Sequence, residues 1–496
     1  MHIWRTLLGL ALLLSPALSA QEEHRHDVLR EKLGVVSFPI SCASAVQQQF
    51  NRAVALLHSF AYAPAESAFR EVAAQDPRCA MAHWGVAMTK FHELWDPPIS
   101  PAALEIGRRE IDLAEQTGTA SKREREFIGA LSLIYGEASV PYRTRAASYE
   151  RAMQELAAEN QKDTEAQVFH ALALLANASP ADKTHRRQKQ AADILEPLFR
   201  AYPQHPGVPH YLIHAYDNAE LAPRGLPAAR DYAGIAPSAP HALHMPSHIF
   251  TRLGLWQDSI ASNLAAKEAA HQQGDLGEEL HAMDYLVYAY LQRGETAEAA
   301  GVVGQLKQMA TLKAGDFKVG YASTAMPIRL AVEQGQWKAA ANIVPPQGAP
   351  PQVVAIAVWA RGLGLARSQR PEEARREIDT LEQIEGQLRT SGNDYWATQT
   401  GILALEVSAW SAQADGKSDK AVALMREAAD AEDAVEKLPV TPGPIVPARE
   451  QLGYLLLEQK QPGLASKEFA TALTNAPGRR GALQGAAQAS QLASQR

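Results

Sequence analysis

The stretch APHALHMPSHIFTRLGLW, residues 239–256, sets His241, His244 and His248 close together around Pro246. Neutral imidazole is the commonest protein ligand for a transition metal, and side chains at i and i+4 of a helix share a face. Upstream, in HPGVPHYLIHAYDNAE, His210, His214 and Asp217 stand at i, i+4 and i+7. Five imidazoles and one carboxylate on two neighbouring segments could converge on an ion with bonds of about 2.0–2.1 Å. Such a set suits Zn, Cu, Fe or Ni without selecting among them. The same residues could instead bind a peptide backbone, hydrogen-bond a carboxylate or fill space, and these uses stay open at this point. Pro246 loosens the helix between His244 and His248 and could re-aim one of them.

Catalytic signatures are few. The YLI between His210 and His214 lacks the glutamate of the HExxH protease motif, so a zincin mechanism has no support. Nucleophile elbow, P-loop, Rossmann glycine fingerprint and paired CxxC are all missing. In FHELWDPP, Glu93 and Asp96 beside His92 are candidates for a general base, although capping or salt bridging is their first reading.

The elements that must position these side chains are helices. Long Ala/Leu-rich segments alternate with Gly/Pro clusters, and strand-like alternation is nearly absent, so the chain reads as all-α. In REQLGYLLLEQKQPGLASKEFATALTNAP, residues 449–477, the positions Leu452, Gly453, Leu456, Ala465, Phe469, Ala472 and Pro477 fall at the spacings of the tetratricopeptide repeat (TPR). Weaker copies carry turn glycines at Gly294, Gly335 and Gly416, and Ala65, Phe69 and Pro77 keep the same register near the start. The fold expected is a TPR-like superhelical solenoid of antiparallel helix pairs. It divides into a signal peptide at 1–20, a His-rich divergent array at 21–344, a Pro-rich linker at 345–352 and a C-terminal array at 353–496. A second proline-rich break is LPVTPGPIVP, residues 438–447.

Likeness to TPR proteins implies that the second, fifth, ninth and twelfth places of each first helix line the concave groove. With Gly254 and Gly294 as equivalent turns, those places are His241, His244, His248 and Thr251 in one unit and His281, Asp284, Tyr288 and Leu291 in the next. His210, His214 and Asp217 take the last three in the preceding unit, and His170 a comparable place before that. The metal candidates are therefore His210, His214, Asp217, His241, His244 and His248, with His170, His281, Asp284 and Tyr288 lining the groove. His58, His170 and His281 read singly as satisfied or space-filling residues, and His83 as part of the helix packing. His24, His26, His185, His205 and His271 fall in tails or polar loops and are expected at the surface.

The first twenty residues, MHIWRTLLGLALLLSPALSA, have the charged start, apolar run and small-residue end of a secretory signal. Cleavage after Ser19 or Ala20 leaves no cysteine to accept a lipid, so the expectation is a soluble periplasmic or secreted protein with no membrane span. Losing Arg5 turns the formal charge of −7 into −8, a poor balance for nucleic-acid binding. Cys42 and Cys79 are read as one disulfide, with a reactive thiol pair or soft metal ligands as the alternative. Each precedes a first helix, and in stacked repeats those starts lie side by side.

The segments FPISC, CAMAHWGVAM and PHYLIHAYDNAELAPRGLPAARDYAGIAPSAPHALHMPSHIFTRLGLW resemble a group of exported bacterial TPR proteins. That resemblance, from about residue 35 to about residue 300, implies export and fold. The functional expectation is an extracytoplasmic superhelix whose groove binds a peptide, protein or small-molecule ligand and carries a histidine-rich transition-metal site. The alternative is a metal-dependent hydrolase or oxidoreductase in which an open coordination position activates water or oxygen.

Overall fold

The computed structural model describes residues 31–495 apart from residues 93, 95–98, 119, 138, 310 and 311. The leader, His24, His26, Glu93 and Asp96 thus lie outside the described residues. Among those described, the chain is a succession of α-helices with two short 3-10 helices and no strand, each helix packing on its neighbours in the sequence. It is the all-α helical-repeat solenoid that the periodicity predicts. No helix among the described residues is long and apolar enough to cross a membrane.

Local chemistry explains the hairpins. Gly254, Gly274, Gly294, Gly335 and Gly416 adopt φ of 69°, 71°, 79°, 63° and 74°, left-handed values that only glycine takes cheaply, and so end their helices. Helix Leu276–Arg293 runs between two of them, and the Asp275 carboxylate accepts the Glu278 amide to open it. The small-against-large pattern has a direct counterpart in the packing. A Cβ on Gly453 would stand 2.6 Å from the Phe469 ring, and one on Gly85 would stand 2.2 Å from the Phe69 ring. Both phenylalanines are fully buried.

Cys42 and Cys79 form a disulfide with Cα atoms 4.9 Å apart. It joins the approach to helix Gln47–His58 to the start of helix Ala80–Met88, as the repeat stacking implies.

The solenoid also closes on itself. Trp256 donates its indole N–H to the Gly478 carbonyl at 3.1 Å, and Gln292 Oε1 accepts the Arg480 amide at 2.9 Å. Residues 435–447, which include the second proline-rich break, cross the concave side as a strap. The Glu436 amide donates to the Pro180 carbonyl at 2.8 Å, Tyr285 Oη to Thr441 O at 3.2 Å, and Arg329 Nη1 to Pro444 O at 3.1 Å. Backbone of residues 435–447 thus lies against Tyr285 and Arg329, on the helices next to the histidines.

Replacing Gly453 by Ala sets a helix-propensity gain of about 1 kcal/mol against an overpacking cost of about 1–3 kcal/mol. We expect a net loss of stability in Gly453→Ala and a small gain in Gly386→Ala, where a Cβ meets nothing within 4 Å. Denaturant midpoints of the two variants check this.

Candidate metal centre

Helix Gly207–Tyr216 carries His210 and His214 on one face. The next first helix is broken by Pro246 into Pro240–His244 and Pro246–Arg252, which carry His241, His244 and His248. Pro246 has no N–H to donate, and the His248 amide reaches back three residues to the Met245 carbonyl at 3.1 Å. Met245 keeps right-handed helical angles, so the break does not turn His248 away from His244. Helix Leu276–Arg293 adds His281.

These side chains meet as two triads. His210, His214 and His241 form one and His244, His248 and His281 the other, the ligand atoms of each lying within 4.8 Å of one another. Five of the six predicted metal residues are thus brought together, joined by His281, which the register places on the groove wall. Asp217 stands behind the imidazoles. Its Oδ2 takes the Nδ1 proton of His248 at 2.9 Å and an ammonium proton of Lys437 at 2.7 Å, while its Oδ1 takes Arg252 Nε at 2.8 Å. Burial opposes its charge, yet Lys437 and Arg252 hold its carboxyl well below the usual range. The same burial brings Lys437 down to about 8.

Protons decide what the triads can do. His244 Nδ1 lies 2.6 Å from Asn263 Oδ1, whose amide nitrogen donates to Ser259 O at 2.7 Å, so the oxygen side accepts from His244. His248 Nδ1 donates to Asp217. Both rings then carry their proton on Nδ1 and a lone pair on Nε2, and the two Nε2 atoms face each other at 3.1 Å. Two nitrogens bound to one tetrahedral ion at about 2.0–2.1 Å each stand about 3.3 Å apart. A shared proton would also relieve the clash, but burial lowers His248 to about 4 and His244 well below the ordinary value. Tyr285 Oη sits 3.5 Å from His248 Nε2 but gives its proton to the Thr441 carbonyl.

The first triad is less constrained. His210 Nδ1 donates to the His58 carbonyl at 2.6 Å and His241 Nδ1 to Glu278 Oε2 at 3.2 Å. His214 can place its own proton on Nε2, which lies 3.1 Å from His210 Nε2. A third group, His58, Glu165 and His205, has ligand-like spacing but spends its carboxylate on both rings, leaving only His205 Nδ1 without a hydrogen-bond partner. Glu165 accepts His58 Nε2 at 2.8 Å and His205 Nε2 at 2.9 Å, and His58 Nδ1 pairs with Tyr211 Oη at 2.9 Å. That group reads as a buried hydrogen-bonded strut.

Other histidines depart from the sequence reading. His205 and His185 are buried instead of exposed, because Glu165 partners the first while Glu220 and Glu436 partner the second. His271 is exposed, as expected. His83 is half-buried and pairs with Glu110. His170 is half-buried and joins neither triad. Asp284 and Tyr288 are buried beneath the strap side, Asp284 near Arg329 and Tyr288 under the Arg329 and Arg479 guanidiniums. Sequence reasoning missed Asn263, Glu278, Lys437 and Glu165. Only His281, in register with the groove places, gave a signal.

No family model matches the chain, and comparison with curated proteins returns no match. Among solved structures it is similar to a human IFIT1 dimer with m7Gppp-AAAA, at 12% identity, covering 79% of this chain and 89% of that one with a TM-score of 0.34. It is similar also to yeast Tom70, at 11% identity over 90% and 88% with a TM-score of 0.33. The P58(IPK) TPR domain matches at 12% identity over 91% and 99% with a TM-score of 0.23. At these values nothing about ligands or activity carries over to this chain.

His210, His214, His244, His248 and His281 all have pKa values lowered by burial. The unfolded chain therefore binds more protons below the ordinary imidazole value of about 6.5, and the stability present above it falls as the pH drops. Each of these groups adds to the loss in that window. Urea midpoints of metal-free protein should fall steeply between pH 7 and pH 5; a flat profile would contradict neutral, buried imidazoles.

Proposed function

We propose that this protein is an exported helical-repeat metalloprotein that holds a transition-metal ion at His244, His248 and His281, with a second, weaker position at His210, His214 and His241. One observation carries the reading: the Nε2 lone pairs of His244 and His248 oppose each other in a buried site, with both Nδ1 protons committed elsewhere. A cation at that point turns the repulsion into two bonds. Asp217 and Asn263 play the part of outer partners that fix ring orientation and raise ligand basicity, and Glu278 does the same for His241. The donors are neutral imidazoles, which suits Zn, Cu or Fe. Export is supported by the leader-like first twenty residues and by the Cys42–Cys79 bond, which an oxidising compartment maintains.

A ligand-binding role for the concave side is a second reading. A cavity lies between the strap and the C-terminal helices. This favours a small molecule over an extended peptide or a protein partner.

Elemental analysis of untagged protein tests the metal reading. We expect between one and two equivalents of one transition metal. His248→Ala should lose the tighter equivalent with helicity intact, and Asp217→Asn should weaken it by about 10–100-fold. Less than a tenth of an equivalent, unchanged after reconstitution, would sink the reading.

A further inference from the structure

The cavity, of about 190 Å³, lies between the strap and the helices Pro351–Arg367 and Asp394–Ala414. An apolar cavity of about 150 Å³ admits benzene, so this one has room for a ligand slightly larger. Its walls include Tyr321, Trp359, Tyr395 and Trp396. Tyr395 and Trp396 stand edge to face with ring centroids 5.1 Å apart, and Tyr321 lies 5.9 Å from Trp396. Exposed Lys183 and Asn475 among the lining residues put one side at solvent.

The charges around it do not cancel locally. The four cations on the wall are all paired: Lys183 with Glu436, Arg252 and Lys437 with Asp217, and Arg449 with Asp433 at 2.6 Å and Glu468 at 3.0 Å. Two carboxyls on the wall, Glu406 and Glu432, take part in no salt bridge among the described residues. Glu406 is 1% exposed and accepts the Trp359 indole N–H at 2.6 Å; Glu432 accepts the Ala448 amide at 2.8 Å. Neither contact supplies a positive charge. Two carboxyls outside any salt bridge among the described residues, beside aromatic side chains, are complementary to an organic cation, which gains from both.

We propose that this cavity binds a small organic ammonium ion, its cationic head at Glu406 and Glu432 and its apolar body against Trp359, Tyr395 and Trp396. The proposed binding groups belong to neither histidine triad, although the cavity wall shares Arg252 and Lys437 with the Asp217 network. Burial, and then the neighbouring carboxylates, push both acids up: Glu432, facing Asp433, Arg449 and Arg479, to about 8, and Glu406, facing Glu432, well above the ordinary range. Near neutral pH the empty site is therefore largely protonated, and a bound cation expels a proton.

Calorimetry on the full chain at pH 7 tests this with cationic benzylamine and neutral benzyl alcohol as probes. We expect saturable one-to-one binding of benzylamine and binding of benzyl alcohol weaker by about tenfold or more. Glu406→Gln should weaken benzylamine by a similar factor, with Glu432→Gln as the second variant should the first fail to fold. Heats in phosphate and Tris should differ by the ionisation heat of a released proton. The proposal is overturned by any one of four results: no saturable benzylamine binding, equal binding of the alcohol, binding unchanged in the folded variants, or equal heats in both buffers.

Discussion

Burial keeps the imidazoles of His210, His214, His244, His248 and His281 neutral, and much of the surrounding structure follows from that constraint. Desolvation disfavours the charged ring, so each proton has to be parked on a nitrogen that finds an acceptor. The acceptors come from neighbouring elements: a backbone carbonyl at His58, an amide at Asn263 and carboxylates at Asp217 and Glu278. With the Nδ1 protons held outward, the Nε2 lone pairs of His244 and His248 are left pointing at each other. A dry interior normally avoids that arrangement unless a cation occupies it.

The outer partners are charged, and they need partners of their own. Asp217 is buried with Arg252 and Lys437, and Glu278 with Lys318. Burying such pairs is expensive and adds little stability compared with apolar packing. What they do here is join distant parts of the chain. Lys437 belongs to the strap, so the carboxylate that orients His248 also pins the strap across the concave side. The buried Arg479 makes a similar tie, reaching Glu333 at 2.9 Å and Glu450 at 2.6 Å while facing Tyr288. The open superhelix expected of helix-pair repeats becomes a closed one through a few buried ionic contacts.

Spacing alone does not separate the three His-containing clusters, since all have ligand atoms within reach of one another. Proton accounting does. The His58–Glu165–His205 group has a carboxylate to absorb the ring protons and no opposed lone pairs. The His210 triad can relieve itself by moving one proton on His214. At His244 and His248 both protons are committed, so the conflict has no internal solution. The order of expected metal affinity follows from hydrogen bonding, not from the number of histidines.

By itself the sequence determined the helices and their hairpins. These depend on local rules: the 3.6-residue period, left-handed angles at Gly254 and Gly294, and small residues opposite Phe69 and Phe469. It also paired Cys42 with Cys79, because repeat stacking sets the two starts side by side. The division of the imidazoles into two triads, the place of Asp217 behind His248 and the inclusion of His281 were decided by tertiary structure. So were the burial of His185 and His205 and the passage of residues 435–447 across the groove. Each depends on side chains far apart in sequence, such as Lys437 with Asp217 or His205 with Glu165. Helical periodicity fixes directions around one axis, whereas metal-ligand geometry needs distances between axes, and only the packed helices set those.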